Sequence, residues 1–136
     1  MKTALYVDTS AILRAILESG VSPEIESRVA SASILVSSRL SRVEAARAFA
    51  RVRHEGRVPE TRFADAARAL DELWARCHIW ELTPAVCDLA GTIAPSTLLR
   101  TLDALHVATF LLARRQFGDI EMLTADVRLR DAVERA

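Results

Sequence analysis

Lysine is almost missing from this chain: Lys2 is the only one, and arginine supplies the rest of the basic charge. Basic and acidic residues balance at 18 each, so the net charge is zero and no overall positive field draws the molecule to a polyanion. Arginine is the better phosphate fork, but an arginine bias is also what GC-rich coding produces, and that plain explanation accounts for most of it. Cysteine is scarce. Cys77 and Cys87 have neither metal-ligand spacing nor a partner histidine pattern, which argues against a zinc site or a disulfide framework. Both are expected as reduced core or near-core residues. No long apolar run occurs. The most apolar stretch, Ala104 to Ala113, contains His106 and Thr109 and falls far short of the roughly 20 residues of a membrane span. Asp8 breaks the N-terminal apolar run too early for a signal peptide. A soluble, cytoplasmic protein with no membrane partner is expected. Repeats, low-complexity tracts and linkers are absent.

What is there suits one domain, residues 1–136, with 51% hydrophobic content and a real core. A chain of this size buries roughly two-thirds of the surface its unfolded form exposes. Short apolar strands alternate with helices. Ala4-Leu5-Tyr6-Val7 has no polar alternation, so both its faces should be covered, as in the middle of a parallel sheet. Asp8-Thr9-Ser10 ends it and caps a helix from Ala11 to about Leu17. Ser22-Pro23 opens a second helix to about Ala30. Ile34-Leu35-Val36 is a strand, followed by a long helix from about Arg39 to His54 that stops at Gly56. Pro59 opens another, to about Arg76, with the stripe Phe63, Ala66, Ala67, Leu70, Leu73 and Trp74. Cys77 to Leu82 reads as a strand, and Thr83-Pro84 starts a short helix. Ala94 to Thr97 reads as a loop, and Thr101 as the cap of an apolar helix from Leu102 to Arg115. Met122-Leu123-Thr124 is the last strand and Val127 to Glu134 the last helix. The alternation predicts a three-layer α/β/α sandwich with a central, mostly parallel sheet.

Four acids carry the chemical interest. Asp8 and Asp126 both leave apolar strands at their carboxyl ends, where open α/β sheets collect ligands. Each is also explained as a helix N-cap, the stronger explanation for Asp126 and an equal one for Asp8, since Thr9 or Ser10 could cap instead. Glu44 lies beside an expected core stripe of Val43, Ala46 and Ala50, flanked by Leu40 and Phe49. An ion pair with Arg47 or Arg51 would explain it plainly, contributing only about 0–1 kcal/mol. Asp103 sits in a helix apolar nearly all round. As a first-turn acid it would contribute about 0.3–1 kcal/mol, but its lost solvation calls for a cation or strong donors. Converging, the four acids would raise one another's pKa values. A divalent cation resolves this, and hard carboxylate oxygens suit Mg²⁺ or Mn²⁺ over zinc. The matching chemistry is metal-assisted phosphodiester hydrolysis.

In order along the chain stand Val7-Asp8-Thr9-Ser10-Ala11-Ile12-Leu13, Ser37-Ser38-Arg39-Leu40-Ser41-Arg42-Val43-Glu44, Arg100-Thr101-Leu102-Asp103-Ala104-Leu105-His106-Val107-Ala108 and Leu123-Thr124-Ala125-Asp126-Val127-Arg128-Leu129. Together they resemble the PIN domain and, within it, the VapC-type toxins of toxin–antitoxin modules. The third block is the most specific, and the likeness spans essentially the whole chain. The resemblance implies a PIN fold and a Mg²⁺- or Mn²⁺-dependent endoribonuclease that hydrolyses RNA by metal-activated water, leaving a 5′-phosphate and a 3′-hydroxyl. It carries over Asp8 and Asp103 as main metal ligands, and Glu44 and Asp126 as ligands acting partly through water. Thr9, Ser10 and Thr124 match polar positions that hold a water or the scissile phosphate. It also implies a homodimer and a cognate antitoxin whose tail blocks the site, often through an arginine.

The remaining signals are weaker. His106 shares a helix face with Asp103 and is expected as a core histidine bonded to a backbone group or a carboxylate. Arg39, Arg42, Arg47, Arg51, Arg53 and Arg57 crowd the long helix as a solvated face, some of them open to RNA phosphates. Trp74 and Trp80 fit aromatic packing better than base stacking. Phe63, Leu70 and the nearby alanines are a candidate dimer or antitoxin groove. Asp88, Asp131 and Glu134 read as solvated acids. A receiver-like phosphotransferase fits poorly, because Asp8 has no aspartate two residues on and no lysine stands near a strand end. The remaining alternative is a PIN-fold RNA-binding or interaction module without significant turnover.

Overall fold

The computed structural model describes residues 3–93 and 99–136. Its elements run β1 (Ala4–Val7), α1 (Thr9–Ile16), α2 (Pro23–Ser31), β2 (Ile34–Ser38), α3 (Arg39–Glu55), α4 (Glu60–Arg76), β3 (Cys77–Trp80), α5 (Pro84–Ala90), α6 (Thr101–Gln116), β4 (Glu121–Leu123) and α7 (Val127–Arg135). The loop expected over Ala94 to Thr97 lies outside the described residues. The strands form one sheet in the order β3-β2-β1-β4. Every pairing is parallel, with Tyr6 opposite Val36 on one side and Met122 on the other.

β1 is central because it can be. All four of its residues are buried, and only a strand apolar on both faces can lie between two helical layers. Leu5 and Val7 point to one layer, where they meet Ile12 of α1, Phe49 of α3 and Leu73 of α4. Ala4 and Tyr6 point to the other and pack with Phe110 and Ala113 of α6. Leu129 and Ala132 of α7 close on Val107 of α6. This is the three-layer α/β/α sandwich that the alternation predicts. Burying each large side chain contributes roughly 1.5–3 kcal/mol, so β1 is among the least movable pieces of the fold.

Several local expectations are corrected. The buried face of α3 carries Leu40, Ser41, Ala45, Ala48 and Phe49, whereas Val43 is 53% exposed and Ala46 and Ala50 face solvent. Leu40 and Phe49 stand about half a turn apart at 3.6 residues per turn. Either arc between them could therefore have faced the core, and the one with the serine did. Arg100, not Thr101, is the N-cap of α6, and it makes no side-chain cap bond. Ser22 is the N-cap of α2 with Pro23 at its first position, as expected, but its hydroxyl makes no cap bond and accepts from Arg14 instead. β3 stops at Trp80, short of Leu82. Leu70 is buried and Phe63 packs edge-on against Phe49, so these two belong to the core, while the nearby Ala66 and Ala69 line a cleft. Cys87 is exposed, not near-core; Cys77 is half-buried, and burial pushes its thiol up to about 11.

Candidate active site

Parallel strands deliver their carboxyl ends to one edge of the sheet. β1 and β4 are neighbours, so the residues that follow them meet there. Asp8 follows Val7 and is 4% exposed. It is the N-cap of α1, accepting from the Ala11 backbone N–H at 3.0 Å. Ser10 donates to its Oδ1 at 2.8 Å, and Thr124, arriving from β4, donates to its Oδ2 at 2.7 Å. Ser10 also accepts from the Ala125 N–H at 2.9 Å, and Thr124 from the Asp126 N–H at 2.9 Å. The two hydroxyls thus stitch the β4 exit to Asp8. Burial pushes the Asp8 carboxyl up, and the bonds from Ala11, Thr124 and Ser10 pull it only part of the way back.

Asp126 caps α7 through the Arg128 N–H at 2.9 Å, with the Arg128 guanidinium 3.6 Å away. The capping explanations for Asp8 and Asp126 both hold, and capping is what fixes these carboxylates at the sheet edge. Asp103 lies in the first turn of α6, half-buried. Burial pushes its carboxyl up, and the charge of Asp126 pushes it further.

Glu44 is placed by the corrected face of α3, which turns it inward. Its Oε1 accepts from Thr9 at 2.6 Å and from His106 Nε2 at 2.7 Å. Burial raises the Glu44 carboxyl, but the bonds from His106 and Thr9 outweigh it and hold it below the ordinary range. Arg47 and Arg51, the plain ion-pair explanation, are not its partners. On the other side of the His106 ring, Nδ1 lies 2.9 Å from the Tyr6 hydroxyl. Burial raises Tyr6 well above its ordinary value, so the hydroxyl stays protonated. Sequence reasoning missed Tyr6 because a tyrosine within an apolar strand carries no signal beyond packing. Elsewhere Arg39 pairs with Glu81 at 2.6 Å, and Arg42 lies over the Trp74 ring.

Among the described residues, no three His, Cys, Asp or Glu side chains are gathered closely enough to enclose one ion. The donor types still fit a hard divalent cation. Asp8 and Asp103 are raised by burial, and no arginine within the described residues comes within ion-pair distance of either. An ion held by one or two carboxylates, with waters and substrate phosphate completing its shell, is what Mg²⁺ favours. A cavity of about 430 Å³ opens at Asp126, with Ser10, Arg14, Glu18 and Arg128 also in its wall. A separate apolar cleft of about 380 Å³ lies between the end of α1 and α4, lined by Ile16, Val58, Ala66 and Ala69 among others.

Comparison with known proteins matches residues 5–134 to the PIN domain family. Ribonuclease VapC46 of Mycobacterium tuberculosis is 34% identical over 96% of this chain and 91% of its own. Ribonuclease VapC45 of the same species is 33% identical over 79% of this chain and 74% of its own. Among solved structures, PAE2754 from Pyrobaculum aerophilum superposes with a TM-score of 0.69 at 21% identity, covering 98% of this chain and 82% of that one. M. tuberculosis VapC20, described as a sarcin–ricin loop cleaving toxin, gives 0.65 at 16% identity and 94% of both chains. The strand order, the acids at the sheet edge and the span of these matches together make the chain a member of the PIN domain family, of the VapC type.

Proposed function

We propose that this protein is a Mg²⁺- or Mn²⁺-dependent endoribonuclease, the toxin of a toxin–antitoxin pair, acting as one domain in the cytoplasm. The observation that carries the proposal is Asp8: a carboxylate 4% exposed, at the end of the central strand, raised by burial and without an arginine partner among the described residues. Its hydrogen bonds satisfy both oxygens without supplying a counter-charge, and a hard divalent cation would supply one. Similarity to the ribonuclease VapC46 along nearly the full length of both chains supports the reaction class.

Asp8 and Asp103 are the side chains that would hold the ion, with Glu44 and Asp126 acting from either side. A hard divalent cation, when bound, supplies water activation and charge neutralisation at the scissile phosphate. The chain supplies the aim. Ser10 and Thr124 bond the two oxygens of Asp8 and leave the carboxylate no freedom to rotate. Thr9 does the same for Glu44. Arg14 and Arg128 line the adjoining cavity, where an RNA phosphate would compete for them with their carboxylate neighbours Glu18 and Asp126. Water attacks phosphorus, the P–O3′ bond breaks, and the oxygen leaves with a proton as the 3′-hydroxyl, leaving a 5′-phosphate.

The partners follow from the same proposal. A cognate antitoxin would place a basic side chain among the acids, and the apolar cleft beside α1 and α4 offers it a second hold. A homodimer has a candidate surface in the exposed stripe Val43, Ala46 and Ala50 of α3. The test is cleavage of a labelled RNA pool by antitoxin-free protein in Mg²⁺, in Mn²⁺ and in chelator, with the product ends identified. Cation-dependent products bearing 5′-phosphates are expected. Binding of RNA without cutting would instead favour an interaction module.

A further inference from the structure

His106 is buried, 3% exposed, inside the site and not at its rim. Its two ring nitrogens are both engaged, at 2.9 Å to Tyr6 and 2.7 Å to Glu44. Glu44 in turn accepts from Thr9 at 2.6 Å. The chain of contacts therefore starts at Tyr6 and ends at Thr9, two residues that bracket Asp8 on the same strand–helix segment. Tyr6 is fully buried in the central strand, so the relay is anchored where the fold moves least.

The bonding pattern is directional. A carboxylate only accepts, so Nε2 carries a hydrogen toward Glu44. With Nε2 donating, Nδ1 is the nitrogen open to the Tyr6 hydroxyl, 2.9 Å away. Both bonds to Glu44 fall on Oε1, and among the described residues none falls on Oε2.

We infer that His106 is a positioning residue: held by Tyr6, it clamps Oε1 of Glu44 and leaves Oε2, unbonded among the described residues, as the oxygen that would serve a bound cation. The inference rests on the proposed metal-dependent reaction but concerns a residue outside the four acids. Groups that bond a ligand carboxylate fix its orientation, and losing one typically costs 10–100-fold in metal affinity or activity. A leucine at 106 would fill the space and lose the clamp. A glutamine would keep an N–H within reach of Glu44.

The test uses the full chain and Mn²⁺ as probe, its binding read by calorimetry and by electron paramagnetic resonance, alongside cleavage kinetics and ring-nitrogen NMR of the metal-free protein. His106→Leu is expected to weaken Mn²⁺ binding about 10–100-fold and to lower kcat by a similar factor with little change in KM. His106→Gln is expected to recover most of both. Tyr6→Phe is expected to shift the His106 Nδ1 resonance and to give a smaller loss; should His106→Leu fail to fold, it and His106→Gln carry the test. Equal Mn²⁺ affinity in wild type and His106→Leu would overturn the inference whatever the cleavage shows. Failure of His106→Gln to exceed His106→Leu would overturn it too, as the signature of packing alone. If wild type bound Mn²⁺ but cut no RNA, and the variants bound it more weakly, the nuclease proposal would fall and the positioning role would stand.

Discussion

Asp8 and Glu44 titrate in opposite directions, and the difference can be measured as stability. Burial raises Asp8, so the folded state resists its ionisation. That penalty is absent below the ordinary aspartate value of about 3.9, grows as pH rises, and is complete above the raised folded value. Asp8→Asn is therefore expected to melt higher than wild type at pH 7, with the gap closing as pH falls toward 4. Glu44 is held below its ordinary value by His106 and Thr9 after burial has pushed the other way. Its contribution is present above the ordinary glutamate value of about 4.3 and is lost as pH falls through the lowered folded value. Glu44→Gln should accordingly melt lower than wild type at pH 7, again with the gap closing in acid. Thermal scans of both variants across pH check the two signs together. Ser41 makes a third case. Its hydroxyl is buried with no partner among the described residues, and Ser41→Ala is expected to raise stability by roughly 1 kcal/mol in denaturant titration. At this scale Asp8, Asp103 and Asp126 stood out because each breaks or ends an apolar run, whereas Glu44 came only from the resemblance to the PIN family. Tyr6 and His106 were not legible as a pair: they lie 100 residues apart, and nothing local to either points to the other.

The long helix α3 shows where pattern runs out. Its sequence offers two arcs between Leu40 and Phe49, one with Val43, Ala46 and Ala50, the other with Ser41, Ala45 and Ala48. Alanine gives little contrast, and valine over serine argues for the first arc. Tertiary packing selects the second, and that face also brings Glu44 to Thr9 and His106. Two substitutions separate the arcs. Ala45→Leu, at a position with no exposed surface, should cost about 1–3 kcal/mol by overpacking. Val43→Glu should stay within about 0.5 kcal/mol of wild type as a monomer while weakening self-association in sedimentation, if the exposed stripe is the dimer surface. The end of this helix, by contrast, was plain. Gly56 takes φ +65°, the left-handed cap that glycine adopts without strain.

Across the whole molecule, a short sheet gathers distant residues. β1 lies between β2 and β4, and it brings the start of the chain within hydrogen-bonding distance of residues over a hundred positions away. The alternation of buried strands and helices made the α/β/α layers legible. Which acids lie at the sheet edge was not legible from spacing, since it depends on which strands are neighbours; the expectation that all four serve one site came from the resemblance to the PIN family. The structure also divides the acids into linked pairs: Asp8 with the hydroxyl that holds the Asp126 N–H, Asp103 with the charge of Asp126, and Glu44 with His106. The central claim is that these acids work through one divalent-ion site to cut RNA. Its most direct test is cleavage by wild type and Asp103→Asn, each titrated with Mn²⁺ and then with chelator. The account predicts cutting that rises with the ion and stops with chelator, and a loss of at least about 100-fold in the variant while its fold persists. Cutting that ignores both the chelator and the substitution would contradict it.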